Sequence, residues 1–587
     1  MTTHHHPVLL RSVAALLALG LATGLLAGCG RPALPTAIPT ATSAAAAGQT
    51  ASAAVATKPA ASSAVAPENA WWNDTVFYEV FVRSFQDSDG DGIGDLQGLI
   101  DRLDYLNDGD PTTTDDLGVT GIWLMPVAQS PSYHGYDTTD YYTVEEDYGS
   151  NEDFQRLIDE AHRRGIKVIV DLVLNHTSTE HPWFVDSASG PDAEKRDWYR
   201  WSPTDDGSRA PWMGGGPVWH RSGDDYYFGL FWEGMPDLNH ENPEVTAEMQ
   251  NAARFWLEEM GADGFRLDAV RHLVEEGTTY SGTPSTHAWL AGFDDFVDTV
   301  DPAALTVGEV WDTTAQAASY VQGDEVDLTF QFELAEGILT SVQQGRPSGT
   351  AGELADLLAA YPAGQFATFL ANHDQPRVAT TLFKDPEGNK LAATTLLTLP
   401  GVPFIYYGEE IGMTGNKPDE LIRTPMQWSD AAGAGFTSGQ PWQPVNRGFQ
   451  ELNVAGQETD PDSLLSHYRR LIHLRNGHPA LLRGGFIPVE SSCDSTLAFL
   501  RQAPAGDADA PDGQTVLVVL NFDHKGEQKG CTFSYSGGAL PAGTYQVQDL
   551  LGGAAAAPLT MTDSGFQDYA PLASLSARAG HILLLEQ

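Results

Sequence analysis

The chain alternates short apolar runs with segments whose apolar residues recur at helical spacing. From Trp71 onward the runs occupy Val76–Phe85, Gly118–Val127, Ile166–His176, Gly261–Val270, Leu305–Trp311, Asp327–Phe332, Gln365–Asp374 and Val402–Gly412. Amphipathic segments lie between them, among others at Asn151–Arg164, Val245–Met260, Gly352–Ala360 and Leu391–Leu399. This alternation predicts parallel strands joined by crossover helices. Eight such units close into an α/β fold, the (β/α)8 TIM barrel; an open doubly wound sheet is the alternative.

The connection after the third predicted strand is too long for an ordinary loop, because the next helical pattern begins only at Asn242. We expect a small inserted domain at residues 177–241, between barrel segments 71–176 and 242–483. Six of the 14 tryptophans fall within it, namely Trp183, Trp198, Trp201, Trp212, Trp219 and Trp232. Flat aromatic rings stack on sugars but also fill small cores, and the sequence supports both uses equally.

The helical segment Ser463–Asn476 ends the predicted barrel. Beyond it, short alternating strands are separated by turns at Thr496–Arg501, Thr515–Asn521, Thr544–Leu550 and His581–Leu585. This pattern predicts a C-terminal antiparallel β-sandwich at residues 484–587. Two of its residues, Cys493 and Cys531, are able to pair in an oxidising compartment, and the sequence leaves that pairing open.

The N-terminus carries the pattern of an export signal. Arg11 precedes an apolar run from Val13 to Ala27, which is too short for a comfortable membrane span. The sequence LAGC at its end resembles a bacterial lipobox, which predicts a signal peptide at 1–28 and a lipid attached to Cys29. A plain secretory signal is the alternative. Residues 29–70 are rich in Ala, Ser, Thr and Pro and predict a tether. We therefore expect an extracytoplasmic protein, anchored to the cell membrane by its lipid or secreted.

Composition narrows the class of partner. The 587 residues are 42% hydrophobic, and 32 Lys and Arg face 79 Asp and Glu, a formal charge of -47. Such a chain buries a large core and repels nucleic acid and anionic membrane surfaces. We expect a neutral or cationic partner, no nucleic acid, no membrane contact beyond the lipid anchor, and a monomer.

Three acids stand at the ends of predicted barrel strands, where barrel enzymes place their chemistry. They are Asp268, Glu309 and Asp374. Arg266 lies two residues before Asp268, on the same strand face, where it is able to keep that carboxylate ionised. Glu309 has no such neighbour in sequence, so apolar surroundings are expected to keep it protonated. One ionised and one protonated carboxyl group are the pair that glycoside hydrolysis requires.

Four motifs at these strand ends resemble the ordered signature regions of the α-amylase family, glycoside hydrolase family 13. They are DLVLNH at 171–176, GFRLDAVRH at 264–272, GEVW at 308–311 and ANHD at 371–374. The resemblance implies a retaining mechanism with Asp268 as nucleophile, Glu309 as general acid/base and Asp374 as stabiliser of the transition state. It also implies that the sugar is held by His134, Tyr136, His176, Arg266, His373 and Arg377. Retention requires the reacting carboxyl groups to lie about 5–5.5 Å apart.

Further motifs bear on specificity. MPDLN at 235–239, HDQPR at 373–377 and RTPMQW at 423–428 resemble the oligo-1,6-glucosidases and the group between them and the neopullulanases. In YHGYD at 133–137, Tyr133 stands where exo-acting glucosidases usually carry an acid that grips the chain end. We therefore favour endo-acting hydrolysis of α-1,4-glucans such as starch, glycogen and maltooligosaccharides. Exo-glucosidase, transglycosylase or isomerase activity is the alternative, and a non-catalytic glucan-binding surface protein is a remote one.

The stretch DSDGDGIGD at 87–95 follows the first strand and repeats part of an EF-hand loop, but Gly98 replaces the bidentate Glu of position 12. Relatives on the oligo-1,6-glucosidase side hold a divalent ion in a similar loop. We therefore expect a structural calcium bound by Asp87, Asp89, Asp91, the Ile93 carbonyl and Asp95, with no metal needed for the chemistry. The resemblance suggests a possible second metal site at Asn175 and the carbonyl of His272.

Overall fold

The computed structural model describes residues 70–212, 214–552 and 555–587. The predicted signal segment, the predicted lipid attachment at Cys29 and residues 29–69 of the predicted tether lie outside the described residues. Within the described ranges, no helix has both the length and the apolar character that a membrane crossing needs.

Eight parallel strands form a ring. They are β1 Phe77–Val80, β2 Gly121–Leu124, β3 Lys167–Leu172, β4 Gly264–Leu267, β5 Leu305–Gly308, β6 Leu328–Thr329, β7 Ala367–Thr368 and β8 Val402–Tyr406. Their hydrogen-bonded order is β6-β5-β4-β3-β2-β1-β8-β7. A parallel bridge between Phe330 and Ala367 joins the two ends of this order. The sheet is therefore closed, and the predicted TIM barrel is confirmed.

The barrel strands are buried on both faces because successive side chains point alternately into the ring and toward the helices. Phe77 and Phe404 stack inside the ring, with centroids 4.4 Å apart. Their neighbours Tyr78 and Ile405 belong instead to the outer core beneath the helices. Continuous apolar runs are the sequence signature of this two-sided burial, which explains why the strands were visible in the sequence.

The longer helices around the barrel are Asn151–Arg163, Pro243–Arg254, Pro284–Val300, Thr314–Gln322, Phe332–Gln344, Ser348–Ala360, Pro386–Thr398 and Leu464–Gly477. Two short helices, Leu96–Asp101 and Leu103–Leu106, follow the loop after β1. Shorter helical segments are Trp71–Asp74, Val82–Phe85, Pro182–Ser187, Arg196–Trp198, Phe255–Glu259, Val270–His272, Val378–Thr381, Asp419–Leu421, Ala432–Gly435, Val454–Gln457 and Pro479–Leu482. Local chemistry fixes several starts: Ser150 and Asp153, for example, form a reciprocal capping box ahead of Asn151–Arg163.

The connection after β3 carries its own small sheet. Its antiparallel strands are Trp201–Ser202, Trp219–Ser222 and Asp225–Phe228. The tryptophans of this region differ in burial. Trp198 is buried and Trp183, Trp201 and Trp219 are half-buried, whereas Trp212 and Trp232 are 41% and 48% exposed. A hairpin of Ala128–Gln129 with Asp140–Val144 precedes this region.

The C-terminal region is an antiparallel β-domain, as predicted. Its main strands are β9 Gly485–Ser491, β10 Thr496–Ala503, β11 Gln514–Asn521, β12 Phe533–Ser536, β13 Gly543–Asp549, β14 Leu559–Met561, β15 Gly565–Tyr569 and β16 Gly580–Glu586. Gln528–Lys529 and Ser574–Leu575 form a separate short pair. A disulfide joins Cys493, after β9, to Cys531, before β12. The two cysteines whose pairing the sequence left open are therefore bonded to each other.

Candidate active site

The barrel ladder brings the three strand-end acids together. Asp268 directly follows β4 and Glu309 directly follows β5. The Asp268 amide donates to the carbonyl of Leu172 at 3.3 Å, and the Glu309 amide donates to that of Leu267 at 3.0 Å. Asp374 follows β7 after a short loop, and all three side chains line one cavity of about 330 Å³. The carboxyl ends of parallel strands thus present these acids to a shared space.

Arg266 is the centre of the site and is 1% exposed. Its Nη1 lies 2.7 Å from Asp268 Oδ1 and 2.8 Å from Asp171 Oδ1. Its Nη2 lies 2.9 Å from Glu309 Oε2. Glu309 has no cationic neighbour in sequence, but the fold supplies one from the adjacent strand, because β4 and β5 are paired in the ladder. The expectation of purely apolar surroundings for Glu309 is therefore corrected.

Burial and charge set the protonation of the two central acids. Burial raises the pKa of Asp268, and Arg266 opposes that rise. Burial also raises the pKa of Glu309; Arg266 lowers it, while the charges of Asp268 and Asp374 raise it further. Glu309 therefore faces two carboxylates for its one guanidinium partner. The pKa values of both acids are therefore raised, and the pocket favours retention of a proton by this pair of carboxyl groups.

Asp374 is held ionised by two cations. Arg423 Nη2 lies 2.7 Å from Asp374 Oδ1, and His373 Nε2 lies 3.2 Å from Asp374 Oδ2. Burial opposes ionisation, but these cations outweigh it and hold the Asp374 pKa well below its usual range. Burial also opposes protonation of His373, yet Asp374 and Glu79 raise its pKa to about 9. His373 is therefore an imidazolium at neutral pH.

Tyr136 forms one wall of the cavity. Its ring stacks on His373 with centroids 5.5 Å apart and an interplanar angle of 16°. Its hydroxyl donates to Asp171 Oδ2 at 2.9 Å and lies 2.7 Å from His373 Nε2. Burial raises the Asp171 pKa to about 7 against the opposing charge of Arg266. The ring is thus fixed as a flat surface against which a sugar is able to stack.

His134 and His176 also line this cavity. The Tyr136 amide donates to His134 Nδ1 at 3.1 Å, and His176 Nε2 lies 3.1 Å from the Tyr136 carbonyl. Burial lowers the pKa of both imidazoles, that of His176 to about 4. Both rings are therefore neutral at neutral pH, and the Tyr136 backbone fixes their positions.

Three of the predicted sugar-binding residues, Arg266, His373 and Arg377, are not among the residues that line this cavity. Arg266 and His373 contact the catalytic acids from beneath it, whereas Arg377 lies apart from them. Its side chain is buried between Tyr406 and Tyr407 and donates to the carbonyls of Ile422 and Tyr407 at 2.8 and 2.6 Å. It supports the loop that carries Arg423 instead of lining the cavity. The motif HDQPR places Arg377 close to Asp374 in sequence but does not determine the direction of the Arg377 side chain.

Three residues of the site were not assigned from the sequence. Asp171 and Arg423 lie within the motifs DLVLNH and RTPMQW, so the signal was present without a role. Glu79, on β1, accepts from His373 Nδ1 at 2.6 Å. No motif marks Glu79, because its partner lies 294 residues away.

A second cavity of about 880 Å³ adjoins the first and does not include Asp268 or Asp374. The residues that line both cavities are Phe231, Ala269, Glu309, Trp311 and Asp419. Trp311 and Trp212 lie on the walls of the second cavity, 49% and 41% exposed. Trp311 stacks on Phe332 at 4.6 Å and Trp212 on Phe231 at 5.6 Å between centroids. Both indoles therefore have one face packed and another side free for a ligand.

The acidic loop after β1 gathers three of its four aspartates. Single carboxylate oxygens of Asp87, Asp89 and Asp95 lie within 4.8 Å of one another. Asp91 lies outside that group and accepts from the Ile93 amide at 2.7 Å. The structure thus brings together three of the four predicted aspartate ligands and leaves Asp91 outside that group. Three clustered carboxylates are suited to a hard divalent cation.

Buried oxygens also surround the second predicted metal position. Within the described residues, Asn175 Oδ1 and Asp237 Oδ2 are buried without a hydrogen-bond partner. Burial raises the Asp237 pKa well above its usual range, and Glu275 raises it further. His272 uses its Nδ1 on the Tyr280 carbonyl at 2.6 Å. Glu275 is already paired with Arg200. The buried Asp237 and the orphaned Asn175 oxygen are therefore the groups suited to a cation, and the sequence did not identify the two acids.

The segment that carries this site matches a known protein family. The match is to the family described as "Alpha amylase, catalytic domain" and covers residues 79–484. The chain belongs to the α-amylase family. It is therefore a glycoside hydrolase that acts on α-glucans.

Several characterised members of the α-amylase family are similar over most of the chain. Alpha-amylase 3 of Dictyoglomus thermophilum is 41% identical, covering 77% of this chain and 85% of that protein. The oligo-1,6-glucosidase of Parageobacillus thermoglucosidasius is 35% identical, covering 78% and 91%. The solved alpha-amylase from H. orenii has a TM-score of 0.76 at 40% identity, covering 87% and 99%. These relatives are named for different activities. The similarity therefore does not determine which glucosidic bond is cleaved, or whether cleavage is internal or at a chain end.

Proposed function

We propose that the protein is a retaining α-amylase that cleaves internal α-1,4-glucosidic bonds of starch, glycogen and maltooligosaccharides. The observation that carries this proposal is the aromatic side chain of Tyr133, which stands where exo-acting relatives have an acid. The nearby Arg423 is engaged by Asp374 and Asp419. Without an acidic clamp on the terminal sugar, the non-reducing side of the cleft admits a longer chain.

The first step uses the two central acids. Asp268 attacks the anomeric carbon and forms a glycosyl ester, while the bond from that carbon to the leaving oxygen breaks. Glu309 gives its proton to that oxygen, so the leaving chain departs as a neutral alcohol. The raised pKa of Glu309 keeps the proton available at neutral pH.

The second step reverses the proton transfer. Glu309, now ionised, takes a proton from water, and the resulting hydroxide attacks the anomeric carbon and releases Asp268. Two inversions give net retention. Asp374, kept ionised by Arg423 and His373, stabilises the positive charge that develops on the sugar in both transition states.

The larger cavity suits the leaving chain, because it contains the proton donor Glu309 without Asp268. Trp311 and Trp212 provide exposed indoles there. Rings in these positions bind the apolar faces of glucose units beyond the cleavage point. A binding surface on this side is needed for attack within a chain, and it equally serves a sugar acceptor.

The products from amylose test the proposal. We expect maltooligosaccharides of mixed length from the first minutes of digestion, each released as the α-anomer in proton NMR. Glucose as the sole early product, released from chain ends, would contradict the endo mode. A β-anomer would contradict retention.

Exo-glucosidase, transglycosylase or isomerase activity is the second candidate. It is favoured by the similarity to an oligo-1,6-glucosidase and to a trehalose synthase/amylase of Mycobacterium tuberculosis. The latter is 36% identical over 522 residues, and the alignment covers 78% of this chain and 83% of that protein. Incubation with maltose separates the candidates. Trehalose or isomaltose as the major product supports the second one, whereas the first predicts slow hydrolysis to glucose.

Calcium is the cation that the cluster of Asp87, Asp89 and Asp95 fits best, because carboxylate oxygens suit its large, irregular coordination shell. Its role in this proposal is structural, since two-carboxylate hydrolysis needs no metal. EDTA should lower the melting temperature, and added calcium should restore it. An unchanged melting temperature after complete removal of divalent ions would oppose this assignment.

We also propose that the protein is exported and anchored to the cell membrane by a lipid. The leader ending in Cys29 supports it, as does the disulfide between Cys493 and Cys531, since structural disulfides persist in oxidising compartments. Globomycin, which blocks lipoprotein signal peptidase, should cause unprocessed precursor to accumulate. Normal processing in its presence would favour a plain secretory signal.

A further inference from the structure

Two half-buried aromatic rings lie face to face beside the cavity of the catalytic acids. The Tyr133 and Trp442 centroids are 5.3 Å apart, and their planes form an angle of 25°. Tyr133 precedes His134, which lines that cavity, and the Arg423 guanidinium carbon lies 6.0 Å from the Tyr133 ring. Neither Tyr133 nor His134 borders the larger cavity around Trp311. The pair therefore lies near the part of the site that the leaving chain does not occupy.

Tyr133 retains capacity to bind a ligand. Across the described ranges its hydroxyl forms no hydrogen bond with another residue, and its ring is only half-buried. Burial raises the pKa of this hydroxyl to about 12, so it stays a neutral donor and acceptor. A stacked aromatic pair with a free hydroxyl has the chemistry that sugars require: a flat apolar surface and one directional polar group.

The acidic loop after β1 fixes the other member of the pair. The Trp442 amide donates to the Gly92 carbonyl at 2.9 Å, inside that loop. Gly92 has φ +100°, and a Cβ there would overlap the Gln440 carbonyl oxygen. Only glycine allows the two backbones to approach so closely. The indole Nε1 also donates to Ser84 Oγ at 3.1 Å.

Asp87 connects the acidic loop to a second point on the segment that leads to Trp442. Its amide donates to the Phe436 carbonyl at 3.0 Å, and its Oδ2 accepts from the hydroxyl of Thr437. The segment from Phe436 to Trp442 is thus bonded at both ends to the loop that carries the aspartate cluster. The position of the Trp442 ring follows the conformation of this loop.

We propose that Tyr133 and Trp442 form a platform that binds the glucose unit on the non-reducing side of the cleavage point, and that the loop Asp87–Asp95 positions this platform. This inference rests on the proposed α-1,4-glucan substrate and names the residues that recognise its second glycone unit. It gives the acidic loop a role in substrate length as well as in stability.

Substrates that differ only in glycone length test the platform. 4-Nitrophenyl α-glucoside, α-maltoside and α-maltotrioside share one leaving group, so ratios of kcat/KM report the added glucose units alone. The wild-type protein should prefer the maltoside over the glucoside. Trp442→Ala should lower that preference roughly three- to tenfold, the range expected for one aromatic contact. Trp212→Ala changes a ring that lines the larger cavity and not that of the catalytic acids, and it should reduce both values by the same factor.

Two outcomes would overturn the platform. One is an equal loss on the glucoside and the maltoside in Trp442→Ala, which would indicate a general structural defect. The other is a wild-type protein that does not distinguish the two substrates. If the wild-type protein hydrolyses none of the three, the proposed function fails, but maltotriose binding still tests the platform through quenching of tryptophan fluorescence.

The loop is tested by the same binding measurement. Thr437→Val removes the hydroxyl that bonds Asp87 and should weaken maltotriose binding severalfold in the protein that contains Trp442. In the Trp442→Ala background the same change should have no further effect, because the ring it positions is absent. Independent, additive losses would overturn the proposed coupling between loop and platform.

Discussion

Replacement of Arg423 by Met tests whether the cations around Asp374 set its charge. Arg423 is buried, donates to Asp374 Oδ1 at 2.7 Å and also donates to the His373 carbonyl at 2.9 Å. Methionine keeps much of the aliphatic volume and removes the charge. The variant therefore isolates the electrostatic contribution of the guanidinium from its packing.

The structure gives the size of the effect. A hydrogen bond to a charged group contributes about 1.5–3 kcal/mol. The Asp374 side chain is 29% exposed, so water replaces part of the lost bond and the lower end applies. A loss of about 1.5–2 kcal/mol in transition-state binding corresponds to roughly a tenfold to thirtyfold fall in kcat/KM.

The pH profile provides the decisive measurement. Loss of a buried cation raises the pKa of Asp374 directly and that of Asp268 through the shared pocket. Activity requires both groups ionised, so the acid limb of kcat/KM should move to higher pH. The stability that ionised Asp374 contributes is likewise lost as pH falls through its folded pKa, and in the variant this loss begins at higher pH.

Arg377→Lys serves as the matched control, because Arg377 donates to carbonyl groups of Ile422 and Tyr407 and to no carboxylate in the described residues. We expect it to lower the melting temperature and to leave the acid limb in place. Equal acid limbs in the wild type and Arg423→Met would refute the reasoning, as would a shift of equal size in Arg377→Lys.

Three further predictions concern the acids and the disulfide. Asp268→Asn and Glu309→Gln should each abolish most turnover of maltotriosides while circular dichroism stays unchanged; retained activity in Asp268→Asn would overturn the catalytic assignment and favour a binding protein. Reduction of the Cys493–Cys531 disulfide, whose cysteines are 38 residues apart, should destabilise the β-domain by about 2–4 kcal/mol, measured by urea unfolding with and without reductant. Asp237→Asn should lower the melting temperature, and EDTA should then lower it less than in the wild type, because a cation ligand is lost. A higher melting temperature, caused by relief of the repulsion between Asp237 and Glu275, would contradict cation binding by Asp237.

Much of the fold could be predicted because a barrel strand is buried on both faces and is therefore encoded by a continuous apolar run. The catalytic acids follow such runs directly, as Asp268 follows β4 and Glu309 follows β5, so their position was readable. The aspartates of the acidic loop lie close together in sequence, so the clustering of Asp87, Asp89 and Asp95 could also be predicted, although Asp91 does not join them.

Contacts between distant segments could not be predicted in this way. The contact of Arg266 with Glu309 depends on which strands pair, and the bond between Arg423 and Asp374 depends on the path of a loop 49 residues away. Arg377 shows the converse error: its motif is beside the site in sequence, yet its side chain turns into the core. Side-chain direction after a strand end is a tertiary property that spacing alone does not encode.

The balance of charge in the pocket explains how one fold keeps a proton where the chemistry needs it. Six acids and three cations of the described residues meet there, namely Glu79, Asp171, Asp268, Glu309, Asp374 and Asp419 with Arg266, His373 and Arg423. The acids outnumber the cations in a buried space, so full ionisation would leave uncompensated negative charge, which is costly. Asp374 has two cationic partners and stays ionised, whereas Glu309 shares Arg266 with two other carboxyl groups. The excess of acids therefore retains protons at the central cluster, and the one on Glu309 is able to reach the leaving oxygen.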